Sequence, residues 1–268
     1  MKWVGGKRQL LKEIEQHLPD RNSHYYEPFI GGGAVLFHLQ PRKAVINDTN
    51  SELVNLYRII QARPEELIED LRKHRNEEDY FYHTRALDRD KAVYAGLTEV
   101  ERASRIIFLN KTCFNGLFRV NSAGEFNTPF GRYKNPKIVN DITIRAISSY
   151  FNENNVEIRN TDFEAALDGI KAGSFVYFDP PYDPVSTSAN FTGYTKGGFD
   201  RNEQLRLKQL CDRLDGMGVK FLLSNSATDF IKELYSGYNE LVTVSATRAV
   251  NSKAEGRGAV DEVLVRNF

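Results

Sequence analysis

Apolar side chains at the start of the chain recur at helical spacing over residues 10–18, and Pro19 ends this pattern. A short strand is predicted over residues 25–30, directly before three consecutive glycines. An apolar helix over residues 34–39 and a second strand at residues 44–46 follow the glycines. Strand, helix and strand in this order form a βαβ unit, the building block of a parallel sheet.

The pattern changes between residues 57 and 145, where amphipathic helices rich in charge replace the strands. One of these helices is predicted over residues 98–109. The stretch from residue 118 to residue 133 is typical of a β-hairpin, because small polar turn residues lie at 121–124. We interpret this segment as an inserted helical domain that carries a β-hairpin.

Strands and helices alternate again after residue 145. The predicted strands lie at 156–158, 174–178, 219–223, 241–244 and 260–265, and the predicted helices at 202–214 and 229–235. The sequence therefore predicts an α/β protein with a main domain of residues 1–56 and 146–268 and an inserted domain of residues 57–145.

Composition limits the class of protein. The 268 residues, 41% of them hydrophobic, can bury an adequate core. No segment has the roughly 18–20 apolar residues of a membrane span, and the N-terminus has no apolar signal region. Cys113 and Cys211 have neither metal-ligand spacing nor partners for a disulfide framework. We therefore expect a cytoplasmic protein without a membrane segment or a metal.

Charge is balanced overall but uneven along the chain. The 36 basic and 36 acidic side chains give no net charge, which argues weakly against a polyanionic partner. Glu125 is the one acid between residues 102 and 137, a segment with seven basic side chains: Arg102, Arg105, Lys111, Arg119, Arg132, Lys134 and Lys137. Residues 65–79 are predominantly acidic. This asymmetry predicts one face for a polyanion and one for solvent, and an ordinary mixed surface is the alternative.

The tetrapeptide Asp179-Pro180-Pro181-Tyr182 directly follows the predicted strand at 174–178. Ligands of open α/β sheets bind at the carboxyl ends of the strands. The prolines stiffen the turn and remove backbone donors. An exocyclic amine can donate to the Asp179 carboxylate and to the Pro180 carbonyl while Tyr182 stacks on its base. An ordinary Asp-Pro turn is the alternative interpretation.

A glycine-rich turn follows the first strand. Glycines allow close approach of the backbone to a ligand, and a dinucleotide fingerprint would need a further glycine where Leu36 stands. Asp48 lies 17 residues beyond Gly31 at the end of a strand, near the spacing of an acid that binds ribose hydroxyls. The turn therefore predicts nucleoside binding without a pyrophosphate grip, although glycines in a tight turn are weak evidence by themselves.

Four motifs in the expected order resemble the Dam/DpnM family of S-adenosylmethionine-dependent DNA adenine-N6 methyltransferases, which modify GATC. They are Lys2 to Lys7, the loop from Glu27 to Val35, the stretch 115–133, and Asp179 to Tyr182. The resemblance covers nearly the whole chain and is greatest to the DpnM branch. It implies a Rossmann-like class I methyltransferase sheet with an inserted target-recognition domain, S-adenosylmethionine as cofactor and double-stranded DNA as partner. Met1 directly precedes the Lys-Trp motif, where the family usually has several more residues, which leaves the completeness of the N-terminus open.

The resemblance also implies roles for individual residues. Lys7 would bind the cofactor's carboxylate, Asp48 its ribose and Asp162 its adenine amine, although Asp162 fits a helix N-cap equally well. Asp179, Pro180 and Tyr182 would be catalytic. The residues expected to contact the cofactor are Trp3, Lys7, Phe29, Gly31, Gly33, Asp48, Asp162 and Asp179.

The stretch around residues 114–133 suits base recognition. Arg119 on a hairpin can reach O6 and N7 of guanine, and Leu117 can pack on a thymine methyl. Phe114 can wedge into the base stack beside Asn115, since the target adenine must be flipped out of the duplex. The residues expected to face DNA are Lys2, Phe114, Asn115, Leu117, Arg119, Asn127, Arg132 and Tyr133. A loop at 186–194 is expected to close over the flipped base, and a loop at 248–258 to contact phosphate.

The preferred hypothesis is adenine-N6 methylation of duplex DNA at GATC, with no obligate protein partner. The same chemistry on single-stranded DNA, RNA or a protein amide is the main alternative. The intact motifs at Lys7 and Asp179 count against a DNA-binding module without catalysis, and Leu36 counts against a nicotinamide dehydrogenase. The sequence leaves open whether methylation protects DNA from a partner nuclease, marks strands for repair or serves a phage.

Overall fold

The computed structural model describes residues 7, 10–19, 24–185, 198–238, 240–247 and 259–268. The helices are α1 Leu11–Gln16, α2 Ala34–Leu39, α3 Ser51–Ala62, α4 Pro64–Leu71, α5 Glu78–Ala86, α6 Lys91–Gly96, α7 Glu99–Thr112, α8 Asp141–Glu153, α9 Arg201–Gly216 and α10 Asp229–Leu234. The strands are β1 Tyr25–Glu27, β2 Ala44–Asn47, β3 Glu157–Arg159, β4 Phe175–Phe178, β5 Lys220–Ser226, β6 Glu240–Thr247 and β7 Ala259–Arg266.

Within the described residues these strands form one seven-stranded sheet in the order β3-β2-β1-β4-β5-β7-β6. Strands β1 to β5 pair in parallel, whereas β7 lies antiparallel between β5 and β6. The predicted α/β class and Rossmann-like sheet are confirmed. The first strand is shorter than the predicted 25–30 and ends at Glu27, because Pro28 has no N–H for a ladder bond.

Strand β4 is the centre of the sheet and is buried on both faces. Phe175 and Tyr177 pack into a core on one face with β1, β2 and the helices α2 and α3. Val176 and Phe178 pack on the opposite face with α9 and α10. Helices therefore cover both faces of the sheet, which explains the uninterrupted apolar run of β4. The chain after Phe178 leaves the sheet at its carboxyl edge.

A third apolar core gathers residues of the helical segment, from Leu56 on α3 to Ile144 on α8. Helix α3 contributes Tyr57 to the first core and Leu56 to this one. Helix α8 likewise contributes Phe151 to the first core. The predicted domain boundaries at 57 and 146 thus fall within two helices that join the helical segment to the sheet.

The hairpin stretch is held by few backbone pairs. Val120 and Phe126 form an antiparallel bridge, and Cys113 pairs with Phe130 in another. The buried ion pair between Asp88 and Arg105, 2.9 Å long, anchors this stretch because the Asp88 carboxylate also accepts the Phe126 N–H at 2.8 Å. The pair of Arg105 and Asp88 thereby connects α7 to the hairpin.

Among the helices of the described ranges, none combines the length and the apolar character needed to cross a bilayer. Within the same ranges, no cluster of three or more His, Cys, Asp or Glu side chains is arranged to hold a metal ion.

Candidate functional site

Asp179 lies at the carboxyl end of the central strand β4, where the chain leaves the sheet. Its Oδ1 is 2.8 Å from the ammonium of the buried Lys7 and 3.2 Å from the hydroxyl of Ser224, which donates to it. Ser224 is on the neighbouring strand β5 and also lies 3.1 Å from the Tyr177 hydroxyl. The carboxylate is therefore fixed by charge on one side and by a buried hydroxyl on the other.

Tyr182 and Glu262 complete this cluster. The Tyr182 hydroxyl donates to Glu262 Oε2 at 2.6 Å, and Lys7 Nζ lies 3.8 Å from the same oxygen. The Lys7 ammonium also lies 4.5 Å from the centre of the Tyr182 ring, a cation–π distance. Lys7, Asp179, Tyr182 and Glu262 thus form one contiguous group, which we call the Asp179 cluster.

The protonation states in the Asp179 cluster follow from burial and neighbouring charge. Burial raises the pKa of Asp179 above the ordinary range, and the Lys7 ammonium opposes that shift. Burial by itself would lower the pKa of Lys7, but the carboxylates of Asp179 and Glu262 contribute to a net rise. Burial raises the pKa of Tyr182 as well, so the phenol stays protonated and donates its hydrogen. The 2.8 Å contact and the raised pKa of Lys7 together favour an ammonium–carboxylate pair between Lys7 and Asp179.

A buried polar network holds the Asp179–Asp183 turn from behind. Gln204 on α9 donates its amide to the Pro181 carbonyl at 2.9 Å and accepts from Asn225 at 3.0 Å. Asn225 accepts the Asp183 N–H at 3.1 Å. The Asp183 carboxylate in turn accepts from Thr228 and Arg201. Because these side chains satisfy one another, the turn has little freedom to change shape.

The glycine loop after β1 is fastened to the end of β2. Asp48 accepts the Gly31 N–H at 3.0 Å and the Asn50 N–H at 2.9 Å, and the Tyr57 hydroxyl donates to the Gly31 carbonyl at 2.7 Å. Gly33 has φ +68°, and a Cβ there would lie 2.6 Å from the Phe37 ring. Burial raises the pKa of Asp48, and the backbone N–H donors oppose the shift.

Asn47 joins this loop to the loop after β3. Its side-chain amide donates to the Pro28 carbonyl at 3.0 Å and to the Thr161 carbonyl at 3.1 Å. Its oxygen accepts the Thr161 N–H at 2.9 Å. The loops after β1, β2 and β3 are therefore tied together at the same edge of the sheet as the Asp179 cluster.

Phe29 and Asp162 lie in two of these loops and have different surroundings. The Phe29 ring packs against Phe163 and Phe199, with centroid distances of 5.4 and 5.7 Å. The Asp162 carboxylate accepts the Glu164 N–H at 3.0 Å and forms an ion pair with Arg206. The short helix that follows, Ala165–Leu167, has Glu164 at its N-cap and no side-chain cap, so Asp162 is not the N-cap that the sequence offered as an alternative.

The segment after α7 presents an aromatic side chain to solvent. Phe114 is 54% exposed, and its N–H donates to the Pro129 carbonyl at 2.8 Å. Asn115 is exposed beside it in the left-handed backbone region, with φ +56°. The Leu117 carbonyl accepts from Thr128 at 2.6 Å. A large exposed apolar side chain on an anchored turn is a feature of contact surfaces.

Several predicted DNA-facing residues contact one another or an acid. Arg119 donates to Asn127 Oδ1 at 2.7 Å, so these two side chains lie together on the hairpin. Arg132 is paired with Glu78 at 2.8 Å, although three quarters of its surface is exposed. The Tyr133 carbonyl accepts from Asn76 at 2.7 Å. The acidic stretch 65–79 therefore adjoins the basic segment at its Arg132 end.

The basic surplus of residues 102–137 does not all lie on one surface, and this part of the charge prediction is wrong. Arg105 is 3% exposed because it serves the Asp88 pair inside the helical segment. Arg102 lies 3.3 Å from Glu52 on α3. A local count of charges cannot distinguish a buried structural arginine from an exposed one.

The sequence matches the family of D12 class N6 adenine-specific DNA methyltransferases over residues 3–250. The chain belongs to this family. The protein is therefore a DNA adenine methyltransferase.

Relatives of this methyltransferase align along its whole length. It is 48% identical over 269 residues to the Type II methyltransferase M1.LlaDCHI of Lactococcus lactis subsp. cremoris, covering 100% of this chain and 94% of that protein. Identity to the Type II methyltransferase M.MjaIII of Methanocaldococcus jannaschii is 41%, covering 100% and 98% of the two chains. A DNA adenine methylase of Serratia marcescens is 35% identical, covering 98% and 96%.

In the described residues, the predicted catalytic and cofactor-contacting side chains lie at one edge of the sheet. Lys7, Asp179 and Tyr182 are in direct contact, and the glycine loop, Asp48 and Asp162 lie on the adjacent strand ends. Phe114 to Tyr133 lie on the helical segment. Lys2, Trp3 and the loops 186–194 and 248–258 fall outside the described residues.

Sequence reasoning missed the polar residues of β5 and β7. Ser224 and Asn225 follow the apolar run of β5, and polar side chains at a strand end are a signal for a binding site in the sequence. Glu262 carries no local signal, because an acid in a terminal strand is typical of an exposed position.

Proposed function

We propose that this methyltransferase transfers a methyl group from S-adenosylmethionine to the N6 amine of adenine in GATC, after flipping that adenine out of duplex DNA. It would act in the cytoplasm, where its DNA is. The observation that carries the proposal is the buried Asp179 carboxylate at the carboxyl end of β4, in contact with Lys7 and beside Tyr182. Family membership supplies the reaction class.

The chain's residues fit the cofactor. Lys7 offers an ammonium for a carboxylate, and Asp48 offers a carboxylate at a glycine loop, where ribose hydroxyls are bound in related sheets. Gly31, Gly33 and Phe29 would line the adjoining cleft, and Asp162, at the next strand end, would bind the adenine amine. S-adenosylmethionine supplies an electrophilic methyl group on a sulfonium.

The proline-flanked turn would activate the amine. Asp179 and the Pro180 carbonyl each accept a hydrogen bond from one N–H of the amine. These bonds draw the nitrogen towards tetrahedral geometry and free its lone pair for attack. Tyr182 stacks on the flipped base. Asp179 need not be a strong base, because the methylated amine is very acidic before it loses its proton. Rate enhancement then comes from positioning and fixed charge.

Lys7 has to move for the amine to bind. In the structure its ammonium contacts Asp179 Oδ1 and lies over the Tyr182 ring. These are the two groups that the adenine would contact. A cofactor carboxylate offers Lys7 an alternative partner of the same charge as Asp179. We infer that Lys7 leaves Asp179 for that carboxylate, which makes the amine site available.

The helical segment, residues 57–145, would serve as the target-recognition domain. Phe114 is exposed for insertion into the base stack, with Asn115 beside it. Arg119 and Leu117 would read guanine and thymine in the major groove. Asn127, Arg132 and Tyr133 lie on the same stretch as further contacts, and Lys2 would also face the DNA.

Arg119→Ala is expected to relax specificity at one base pair, at a cost of roughly 1–3 kcal/mol of discrimination. The arginine fork is the group that can bind guanine bidentately. Methylation rates on duplexes that replace each base pair of GATC in turn measure this loss. Arg145→Ala is the matched control, since it removes an exposed arginine that is paired with Glu65 on α4. Unchanged discrimination in Arg119→Ala would remove Arg119 from base reading.

The proposed function is tested by incubating the protein with S-adenosylmethionine and plasmid DNA. Digestion with nucleases that differ in their sensitivity to methylated GATC then reports the modified site. Protection at GATC alone supports the proposal, whereas unprotected plasmid contradicts it. A labelled-methyl assay on duplex DNA, single-stranded DNA, RNA and protein separates the alternative substrates of the same chemistry.

A further inference from the structure

Glu262 is an acidic side chain in the Asp179 cluster to which methyl transfer assigns no task. It is on β7, far from the other members in sequence, yet its Oε2 is 2.6 Å from the Tyr182 hydroxyl and 3.8 Å from Lys7 Nζ. Its side chain is 16% exposed, close to the 22% of Asp179. Two carboxylates of similar exposure therefore share one ammonium.

The charges of this group do not cancel. Lys7 compensates one of the two carboxylates, and the other leaves one negative charge on the three side chains. Glu27 lies near Asp179, and burial raises its pKa well above the ordinary range, which favours the neutral form of this side chain. The Asp179 and Glu262 carboxylates both lie within 3.8 Å of Lys7 Nζ, so they are close to each other.

The ligands of the proposed reaction differ in charge. S-adenosylmethionine carries a sulfonium, whereas its product S-adenosylhomocysteine carries a neutral thioether, so the product has one positive charge less. The methyl group has to reach an amine held at Asp179, and this requirement brings the sulfur close to both carboxylates. This negative charge remains when Lys7 turns to the cofactor's carboxylate, which both ligands carry, and it favours the sulfonium over the thioether.

We propose that Glu262 is a specificity-determining residue that makes the site bind the cationic methyl donor more tightly than the neutral product. This inference rests on the proposed function, because it takes S-adenosylmethionine as the ligand. In this role, the Glu262 carboxylate favours release of the product after each turnover.

Glu262→Gln tests the role of the charge, because glutamine keeps an acceptor for the Tyr182 hydroxyl and removes the negative charge. Titration calorimetry would measure the affinities of S-adenosylmethionine, S-adenosylhomocysteine and sinefungin, a cationic analogue with an ammonium near the sulfonium position. We expect the variant to lose about five- to tenfold of the preference for each cationic ligand over S-adenosylhomocysteine, whose own affinity changes less than about twofold.

Two variants serve as controls for this measurement. Asp261→Asn removes the same charge from the neighbouring, exposed position of β7 and is expected to leave the preference unchanged. Tyr182→Phe removes the hydroxyl that donates to Glu262 but keeps the Glu262 charge. The preference for cationic ligands should therefore survive in this variant as well. Circular dichroism checks that each variant is folded.

The outcomes separate this inference from the proposed function. Equal weakening of the cationic and neutral ligands in Glu262→Gln would overturn the inference and leave Glu262 as a structural acceptor. A wild-type protein that binds sinefungin no better than S-adenosylhomocysteine would overturn it without any variant. A wild-type protein that binds none of the three ligands would instead refute the proposed function.

Discussion

Asp179→Ala is expected to lower methyl transfer to DNA by about a thousandfold, while most of the affinity for S-adenosylmethionine survives. The substitution removes one of the two acceptors that would hold the adenine amine. Lys7 keeps Glu262 within 3.8 Å, so its ammonium is not left without a carboxylate. Labelled-methyl incorporation into plasmid DNA measures turnover, and calorimetry measures cofactor affinity.

Asp179→Asn should retain more activity than Asp179→Ala, because its amide oxygen still accepts one hydrogen of the amine. Asp168→Ala is the matched control, since Asp168 has an exposed side chain and lies on the loop before β4. Full activity in Asp179→Ala would refute the proposed role of the carboxylate. Loss of cofactor binding together with turnover would place Asp179 in cofactor binding rather than in amine activation.

Arg105→Met is expected to destabilise the protein by about 3–5 kcal/mol, because it leaves the Asp88 carboxylate buried without its positive partner. Arg105 also donates to the carbonyls of Thr84 and Arg85, both at 2.8 Å, and these bonds are lost as well. The free energy of unfolding in urea measures the effect. Since Asp88 accepts the Phe126 N–H, the same change should loosen the hairpin that carries Arg119. It should thereby weaken the discrimination that we propose for GATC.

Arg102→Met is the control for this comparison. Arg102 lies one turn earlier on α7 and pairs with Glu52 at 3.3 Å, but both side chains are about one quarter exposed. Such a pair contributes at most about 1 kcal/mol, so this variant should remain close to the wild type. A loss in Arg105→Met no larger than that in Arg102→Met would contradict the anchoring role of the buried pair.

The sequence by itself determined the elements whose signals are local. The glycine turn between β1 and α2, the uninterrupted apolar run of β4 and the position of Asp179 directly after it are patterns within a few residues. Such patterns reflect backbone preferences and the burial of both faces of a central strand, which depend little on distant parts of the chain. The α/β class and the strand-end location of the site could therefore be predicted.

Only the tertiary structure decided which distant side chains meet. Glu262 reaches Tyr182, 80 residues away in sequence, because β7 inserts antiparallel between β5 and β6. Lys7 has Asp179 as its partner, and Arg105 is buried with Asp88 although Arg119 and Arg132 of the same basic segment are exposed. Charge and polarity along a chain do not specify burial or partners, since both arise from packing between elements.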